Sequence, residues 1–280
     1  MVTWDDHEVK DNYAGKSCKD VEPRAFAARR AAAYQAYYEH MPLRRSSMPS
    51  RSGMRLYRRV DYGRLASFNV LDTRQYRDHQ AIVGSREAEA GARTLMGAEQ
   101  ERWLLDGLRR SPARWNVLAQ QIFFARRAGE RGRGEQVMGD AWDGYPVARD
   151  RISAGLAAAP NPIVLSGDVH SNSANNLLAD YRDPGSEVVG AEFVGTSISS
   201  GGDGHDGGGD HGDMLAENPH IKFFNGRRGY LRCRVTTDEW HTDYRVVPYV
   251  SRPGAGVSTR ATFTVRDGVA GLQKQTAGAS

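Results

Sequence analysis

A repeated strand–helix pattern in the middle of this 280-residue chain constrains its fold more than any other feature. Short apolar runs, typical of buried strands, alternate with amphipathic stretches, typical of helices. The predicted strands cover 64–78, with the strand stopping at Asp72, and then 115–125 and 162–170; the predicted helices cover 97–110 and 147–160. An order of strand, helix, strand, helix, strand indicates an α/β core with a partly parallel sheet.

The two ends of the chain have different patterns. An Ala-rich stretch with aromatic residues at helical spacing predicts a helix over 22–42. Towards the C-terminus a strand over 191–202 leads into a glycine-rich loop, and from Tyr230 the alternation of apolar and polar residues predicts a hairpin and one last strand. Because we find no internal repeat and no clean linker, we predict a single domain over 1–280.

Composition excludes some classes of protein and leaves others open. About 39% apolar residues are enough for a sizeable core, and a net charge of +4 with mixed signs suits an anionic small substrate as well as nucleic acid. Cys18 and Cys233 could pair once or not at all. No apolar run is long enough for a membrane span, and no export signal opens the chain, so we expect a cytoplasmic protein if it is expressed as given.

The most informative local motif is VLSGDVHSN (164–172), in which a short apolar run leads to Asp168 and His170. Ligands of open α/β sheets bind beyond the carboxyl ends of strands. Two positions apart in a strand, both side chains project to one side, and a bend after Gly167 would let them reach one or two metal ions. The alternative is that Asp168 caps a turn and that His170 is a hydrogen-bonded surface histidine.

The opening segment WDDHE places three carboxylates and an imidazole side by side, including Asp6 and His7. Carboxylates favour hard cations, and histidine favours iron or zinc. Alone, four polar residues at a terminus are typical of a solvated face. Because this segment and GDVH offer the same ligand chemistry next to β-forming residues, we predict that they share a metal site.

Asp72 and Arg74 follow a third predicted strand in LDTRQYR. Arginine is the side chain best shaped to hold phosphate bidentately, so Arg74 could clamp a phosphoryl group. The alternative is an Arg–Asp pair that only braces the fold; this is the favoured interpretation for Asp72, and both interpretations stay open for Arg74.

Two further stretches give weaker signals. GGDGHD (201–206) matches the first places of a calcium-binding nonapeptide, but Gly208 stands where a large apolar residue is expected, so we predict that 203–213 is a mobile loop and not a calcium site. NPHIKFFNGRRGY (218–230) could be a basic aromatic surface for nucleic acid or, more often for such a stretch, a packed turn.

Seven motifs in their order strongly resemble the PhoD-type alkaline phosphatases from residue 2 to about residue 265: TWDDHEV, LDTRQYRD, EQERWLLDGLRRSPARWNVLAQQ, DAWDGYP, VLSGDVHSN, EFVGTSISSGGDG and NPHIKFFNGRRGY. The resemblance implies a metal-dependent phosphomonoesterase and phosphodiesterase with a calcineurin-like α/β/β/α sandwich that uses iron together with calcium. It also implies a small phosphate ester substrate, no specific nucleic-acid or membrane partner, and a family that is secreted or held in the cell envelope.

Carried over residue by residue, the resemblance places Asp6 on the second metal and His7 beside the substrate phosphoryl group. Asp168 would be a calcium ligand, His170 an iron ligand, and Arg74 a possible phosphate clamp.

The family pattern also includes an upstream β-rich domain, a metal-ligating Cys and a Gly-Asp-x-x-Tyr block, which do not occur in this sequence. We therefore expect the chain to correspond to the C-terminal part of the metallophosphatase domain, with a sandwich that is incomplete at the N-terminus. Hydrolysis of phosphate mono- and diesters would then be impaired. The alternative is a catalytically inactive, metal-binding remnant of a split or mis-started gene.

Overall fold

The computed structural model describes residues 1–50, 53–127, 139–183, 185–207 and 210–277. Its helices are α1 (Pro23–His40), α2 (Ala98–Arg110), α3 (Pro146–Ala157) and α4 (Asp210–Glu217), with short 3-10 turns at Arg45–Ser47 and Trp142–Gly144. Its strands are β1 (Arg58–Tyr62), β2 (Ala66–Val70), β3 (Trp115–Ala119), β4 (Pro162–Ser166), β5 (Asn172–Leu178), β6 (Val188–Val194), β7 (Ile221–Asn225), β8 (Arg228–Val235), β9 (Glu239–Val247), β10 (Ser258–Arg266) and β11 (Lys274–Ala277).

Seven of the described strands form one mixed sheet in the order β1-β2-β3-β4-β6-β5-β7. Strands β2, β3, β4 and β6 run parallel, while β1, β5 and β7 pair antiparallel. The apolar runs of β3 and β4 are buried, as expected for central parallel strands covered on both faces. The predicted α/β core with a partly parallel sheet is confirmed.

Helices α2 and α3 cover one face of this sheet. Their buried side chains, among them Leu104 and Leu156, pack in one cluster with Leu118 of β3 and Val164 of β4. Both helices have the predicted positions, because Leu104 and Leu108 share a helical face in α2 and because Pro146 sits in the first turn of α3, where a missing N–H costs nothing.

A second sheet, antiparallel in the order β11-β10-β9-β8, covers the other face. Trp115 and Phe193 of the large sheet share a buried cluster with Trp240 and Phe263 of the small one, and the ring centroids of Trp115 and Trp240 lie 6.0 Å apart. Among the described residues, a layer of helices, the mixed sheet and the antiparallel sheet thus pack on one another. The single domain over 1–280 and the calcineurin-like arrangement stay predictions.

A small truncation between the two sheets tests this packing. Ile163 is fully buried in the cluster that joins them, and Ile198 is 73% exposed. We expect Ile163→Val to lower the free energy of unfolding by about 0.5–1.5 kcal/mol, because removal of a buried methyl group leaves an incompletely filled space. Urea unfolding measures the loss. Ile198→Val is the control and should stay within about 0.5 kcal/mol of the parent chain; equal losses in both variants would contradict the layered core.

Polar strands were missed by the sequence pattern. β5 reads NSANNLL, yet its Asn175 is buried and donates from Nδ2 to Glu192 Oε2 at 2.9 Å. The stretch 218–230 is not a turn: it contributes β7 and the beginning of β8. Arg228 in that stretch is buried and bonded to Ser197 and Ser200, so it does not belong to an open basic surface.

The glycine-rich segment contacts neighbouring strands and loops. Over 203–207 it is held at two carboxylates: Asp203 accepts a hydrogen bond from the backbone N–H of Val250 at 2.7 Å, and Asp206 pairs with Arg227 and Arg260. Helix α4 begins at Asp210, and residues 208–209 lie outside the described residues. These contacts connect Asp203 and Asp206 to neighbouring strands and loops, and the predicted mobility of 203–213 stays a prediction.

Candidate metal centre

The loops that follow the parallel strands meet at one edge of the large sheet, and the N-terminal segment crosses them. Thr3 Oγ1 donates to the carbonyl of Leu71, which follows β2, at 3.3 Å. Gln121, which follows β3, donates from Nε2 to Thr3 Oγ1 at 3.0 Å. These bonds hold the segment over the carboxyl ends of the strands, where ligands of α/β sheets bind.

Three carboxylates converge at this edge. Asp5, Asp6 and Asp168 each offer one oxygen, and these oxygens lie within 4.8 Å of one another. Asp6 is only 3% exposed, and its two oxygens accept the backbone N–H groups of His7 and Asn12, each at 2.8 Å. The structure therefore brings together two of the three predicted metal ligands, Asp6 and Asp168, and adds Asp5, to which the sequence analysis gave no role.

A tight turn after Gly167 separates Asp168 from His170. Both residues have left-handed backbone angles, with φ of +69° at Asp168 and +51° at His170, and the N–H of Val169 bonds to the Gly167 carbonyl. Such angles are uncommon for residues other than glycine and concentrate at functional turns. The turn leaves His170 exposed and outside the carboxylate group, and its role as a metal ligand stays a prediction.

His7 lies beside the carboxylates on the solvent side. Its imidazole is 73% exposed, and its Nε2 lies 3.6 Å from Asp11 Oδ1 and 3.9 Å from Asp6 Oδ2. With Asp6 and Asp11 it forms a second group whose ligand atoms lie within 4.8 Å, so Asp6 belongs to both groups.

Arg74 occupies the centre of the site, with a side chain that is 0% exposed. Its Nε lies 2.6 Å from Asp5 Oδ1, one terminal nitrogen lies 2.7 Å from Asp140 Oδ2, and the other lies 3.1 Å from Asp168 Oδ1. Burial alone would lower the pKa of the guanidinium, but Asp5, Asp140 and Asp168 raise it above its ordinary value. Each of the three nitrogens of the guanidinium, which form its three edges, therefore binds a carboxylate.

Asp72 does not pair with that guanidinium. It is fully buried and accepts backbone N–H bonds from Arg74 at 3.0 Å and Gln75 at 2.8 Å, which cap the turn after β2. Burial raises the pKa of the Asp72 carboxyl, although these hydrogen bonds lower it in part. Asp72 thus braces the fold, as favoured above, but through the backbone and not through an ion pair.

The surroundings of Asp168 raise the pKa of its carboxyl. Burial raises the pKa of its carboxyl well above the ordinary range, and the negative charge of Asp5 raises it further, although Arg74 opposes both effects. Two carboxylates this close repel each other unless a positive charge is shared between them. Arg74 binds both Asp5 and Asp168, but its charge offsets this effect only in part.

A family model described as PhoD-like phosphatase matches residues 1–244. The chain belongs to the PhoD-like phosphatase family. It is 53% identical to alkaline phosphatase D of Bacillus subtilis (strain 168) over 282 aligned positions, which cover 98% of this chain and 48% of the relative. It also matches a solved structure titled "Structure of PhoD" with a TM-score of 0.93 and 52% identity, over 99% of this chain and 55% of that one. The chain thus spans about half the length of the relatives that it matches.

Four of the quoted motifs supply Arg74 and the three carboxylates that bind its guanidinium. WDDHE contributes Asp5, LDTRQYR contributes Arg74 itself, and GDVH contributes Asp168. DAWDGYP contributes Asp140, which accepts bonds from Arg74 and, at 2.7 Å, from Arg77. The sequence analysis quoted this last motif but gave Asp140 no role, since nothing in its composition indicates a contact with a residue 66 positions earlier.

Both cysteines are free thiols in the structure, so Cys18 and Cys233 do not form the disulfide that their number permits. None of the described helices of this PhoD-like chain is long and apolar enough to cross a membrane.

Proposed function

We propose that this chain contributes a cation-dependent centre for the hydrolysis of phosphate mono- and diesters, with Asp6 and Asp168 as metal ligands. The observation that carries the proposal is the convergence of Asp5, Asp6 and Asp168 over the carboxyl ends of the parallel strands, in a chain of the PhoD-like phosphatase family. The helix, sheet and sheet layers are consistent with a calcineurin-like sandwich.

The donor set fits calcium best. Carboxylate oxygens are the preferred ligands of this hard cation, and three of them lie within 4.8 Å of one another. A divalent cation supplies Lewis-acid polarisation of a phosphoryl oxygen and a more acidic bound water. Iron prefers sites that include imidazole, so its proposed place rests on the family resemblance, with His170 as the proposed ligand.

The remaining residues have roles that follow from their exposure and contacts. His7 is exposed next to Asp6, where its imidazole can donate a proton to the oxygen of a departing alcohol. Arg74 keeps Asp5 and Asp168 apart and oriented, because one rigid guanidinium binds both. Its role as a phosphate clamp is the weaker alternative, since it would have to release a carboxylate first.

The composition of the two groups of candidate metal ligands favours a second function, which is cation binding with little turnover. They contain four carboxylates and a single imidazole, share Asp6, and do not include His170. A two-metal phosphoesterase needs ligands that hold both ions about 3.5–4 Å apart. We therefore expect the 280-residue chain to hydrolyse esters much more slowly than a full-length relative.

The decisive experiment compares this chain with full-length alkaline phosphatase D on chromogenic phosphate mono- and diesters at alkaline pH, with calcium and iron and then with chelator. Slow turnover by the chain that chelator abolishes would support the proposal. Calcium binding in calorimetry without turnover would favour the second function. Chelator-resistant turnover, or neither binding nor turnover, would contradict the proposed centre.

A further inference from the structure

Asp140 binds Arg74, which also binds two carboxylates of the proposed centre. It does not belong to the Asp5, Asp6 and Asp168 group, but both its oxygens accept bonds from one terminal nitrogen of Arg74, at 2.9 and 2.7 Å. Arg77 and the side-chain amide of Gln80 donate to its Oδ1 as well, at 2.7 and 2.8 Å. The Asp140 carboxylate therefore accepts hydrogen bonds from three different side chains.

The backbone around Asp140 is closely packed. A Cβ on Gly139 would lie 2.3 Å from the Cα of Gly144, and a Cβ on Gly144 would lie 2.1 Å from the carbonyl oxygen of Gly139. Between them, the indole of Trp142 is fully buried and donates to Gln120 Oε1 at 3.2 Å. The two glycines thus allow a turn that holds the Asp140 carboxylate at a defined place beside Arg74.

We propose that Asp140 is a positioning residue for the metal centre: it fixes the Arg74 guanidinium so that Asp5 and Asp168 present their free oxygens to a divalent cation. This inference rests on the proposed function. Partners behind metal ligands orient them, and their removal typically lowers metal affinity about 10–100-fold.

Charge and geometry both predict that loss of the Asp140 carboxylate weakens calcium binding. Asp140 binds one edge of the guanidinium and neutralises part of its charge, while the other two edges bind Asp5 and Asp168. Without Asp140, that positive charge is shared by the two remaining carboxylates only, and the guanidinium is free to rotate onto them. It would then compete with the incoming cation for the same oxygens.

The test is calcium titration of the 280-residue chain and of Asp140→Asn, by calorimetry and by the rise of the unfolding temperature with added calcium. We expect Asp140→Asn to bind calcium about tenfold more weakly and to lose most of the calcium-dependent rise. Asp143→Asn is the matched control: Asp143 lies in the same motif and pairs with the buried Arg149 at 2.5 Å, away from the Arg74 guanidinium. A structural role alone would lower the unfolding temperature with and without calcium by the same amount.

Asp140→Glu provides the second comparison, since it keeps the charge and should recover part of the affinity. Equal calcium affinity in Asp140→Asn, Asp143→Asn and the parent chain would overturn the positioning role and leave the proposed function intact. Absence of calcium binding in the parent chain would overturn both, because there would be no centre for Asp140 to position.

Discussion

Replacing Asp168 by Asn is expected to weaken calcium binding strongly and to lower the proposed cation-dependent ester hydrolysis with it. Asp168 is the carboxylate of the group that comes from the turn after β4, and its oxygen lies within 4.8 Å of those of Asp5 and Asp6. An amide keeps the shape of the side chain and one oxygen donor but loses the negative charge, and the affinity of a site for calcium depends on the number of its charged ligands. We expect calcium affinity to fall roughly 100-fold or more. This loss is larger than the one expected for Asp140, which binds Arg74 and is not a proposed ligand.

The same substitution should stabilise the calcium-free chain at neutral and alkaline pH. In the folded state the pKa of Asp168 is raised by burial and by Asp5, whereas in the unfolded chain it is about 3.9. Because its folded pKa is raised, the contribution of Asp168 to the free energy of unfolding is greatest below the unfolded pKa and is lost as the pH rises through the folded pKa. The amide introduced by Asp168→Asn carries no charge to desolvate, so the variant should lose less stability over this pH interval.

Calorimetry with calcium and urea unfolding at several pH values measure both effects. Asp243→Asn is the control, since Asp243 is also a buried carboxylate bound to an arginine, Arg232, at 2.6 Å, but it lies in the second sheet. It should keep calcium binding and lose stability. Calcium affinity unchanged in Asp168→Asn would exclude Asp168 from the centre.

The central part of the fold could be predicted from sequence because burial determines its residue types. β3 and β4 are continuous apolar runs, and the apolar face of α2 repeats at helical spacing, so both signals survive without knowledge of neighbours. β5 gives no such signal, since two of its asparagines, Asn172 and Asn175, are buried through hydrogen bonds to the backbone and to Glu192. A polar residue that is satisfied only by tertiary partners looks, in a sequence, like a loop.

The candidate site, like the fold, is predictable from the sequence only in part. Asp168 could be placed at the site because ligands of α/β sheets bind beyond the carboxyl ends of strands. Asp6 lies outside the described strands, and only the shared ligand chemistry of the two motifs placed it with Asp168. His170 was expected with them, but the direction of its side chain depends on left-handed angles that spacing does not reveal. The contacts of Arg74 join residues 66 to 94 positions apart, and no local pattern encodes them.

Replacing Arg74 by Met is expected to cause a large loss of stability, because one buried cation is shared by three carboxylates. The side chain of Arg74 is 0% exposed, and those of Asp5, Asp140 and Asp168 are 20–26% exposed. Without the guanidinium these carboxylates face one another at short range with little solvent to screen them. Removal of one partner from a buried ion pair typically costs about 3–5 kcal/mol, and we expect a loss of this size in calcium-free urea unfolding.

Two variants separate the charge of Arg74 from its shape. Arg74→Lys keeps the charge but offers one ammonium in place of three bonded edges, so it should recover only part of the loss. Arg77→Met is the control, because the Arg77 side chain is equally buried yet pairs with a single carboxylate, Asp140, and its loss should cost clearly less. Equal losses for Arg74→Met and Arg77→Met would mean that Asp5 and Asp168 rehydrate freely, and Arg74 would then be no more than one of two interchangeable partners of Asp140.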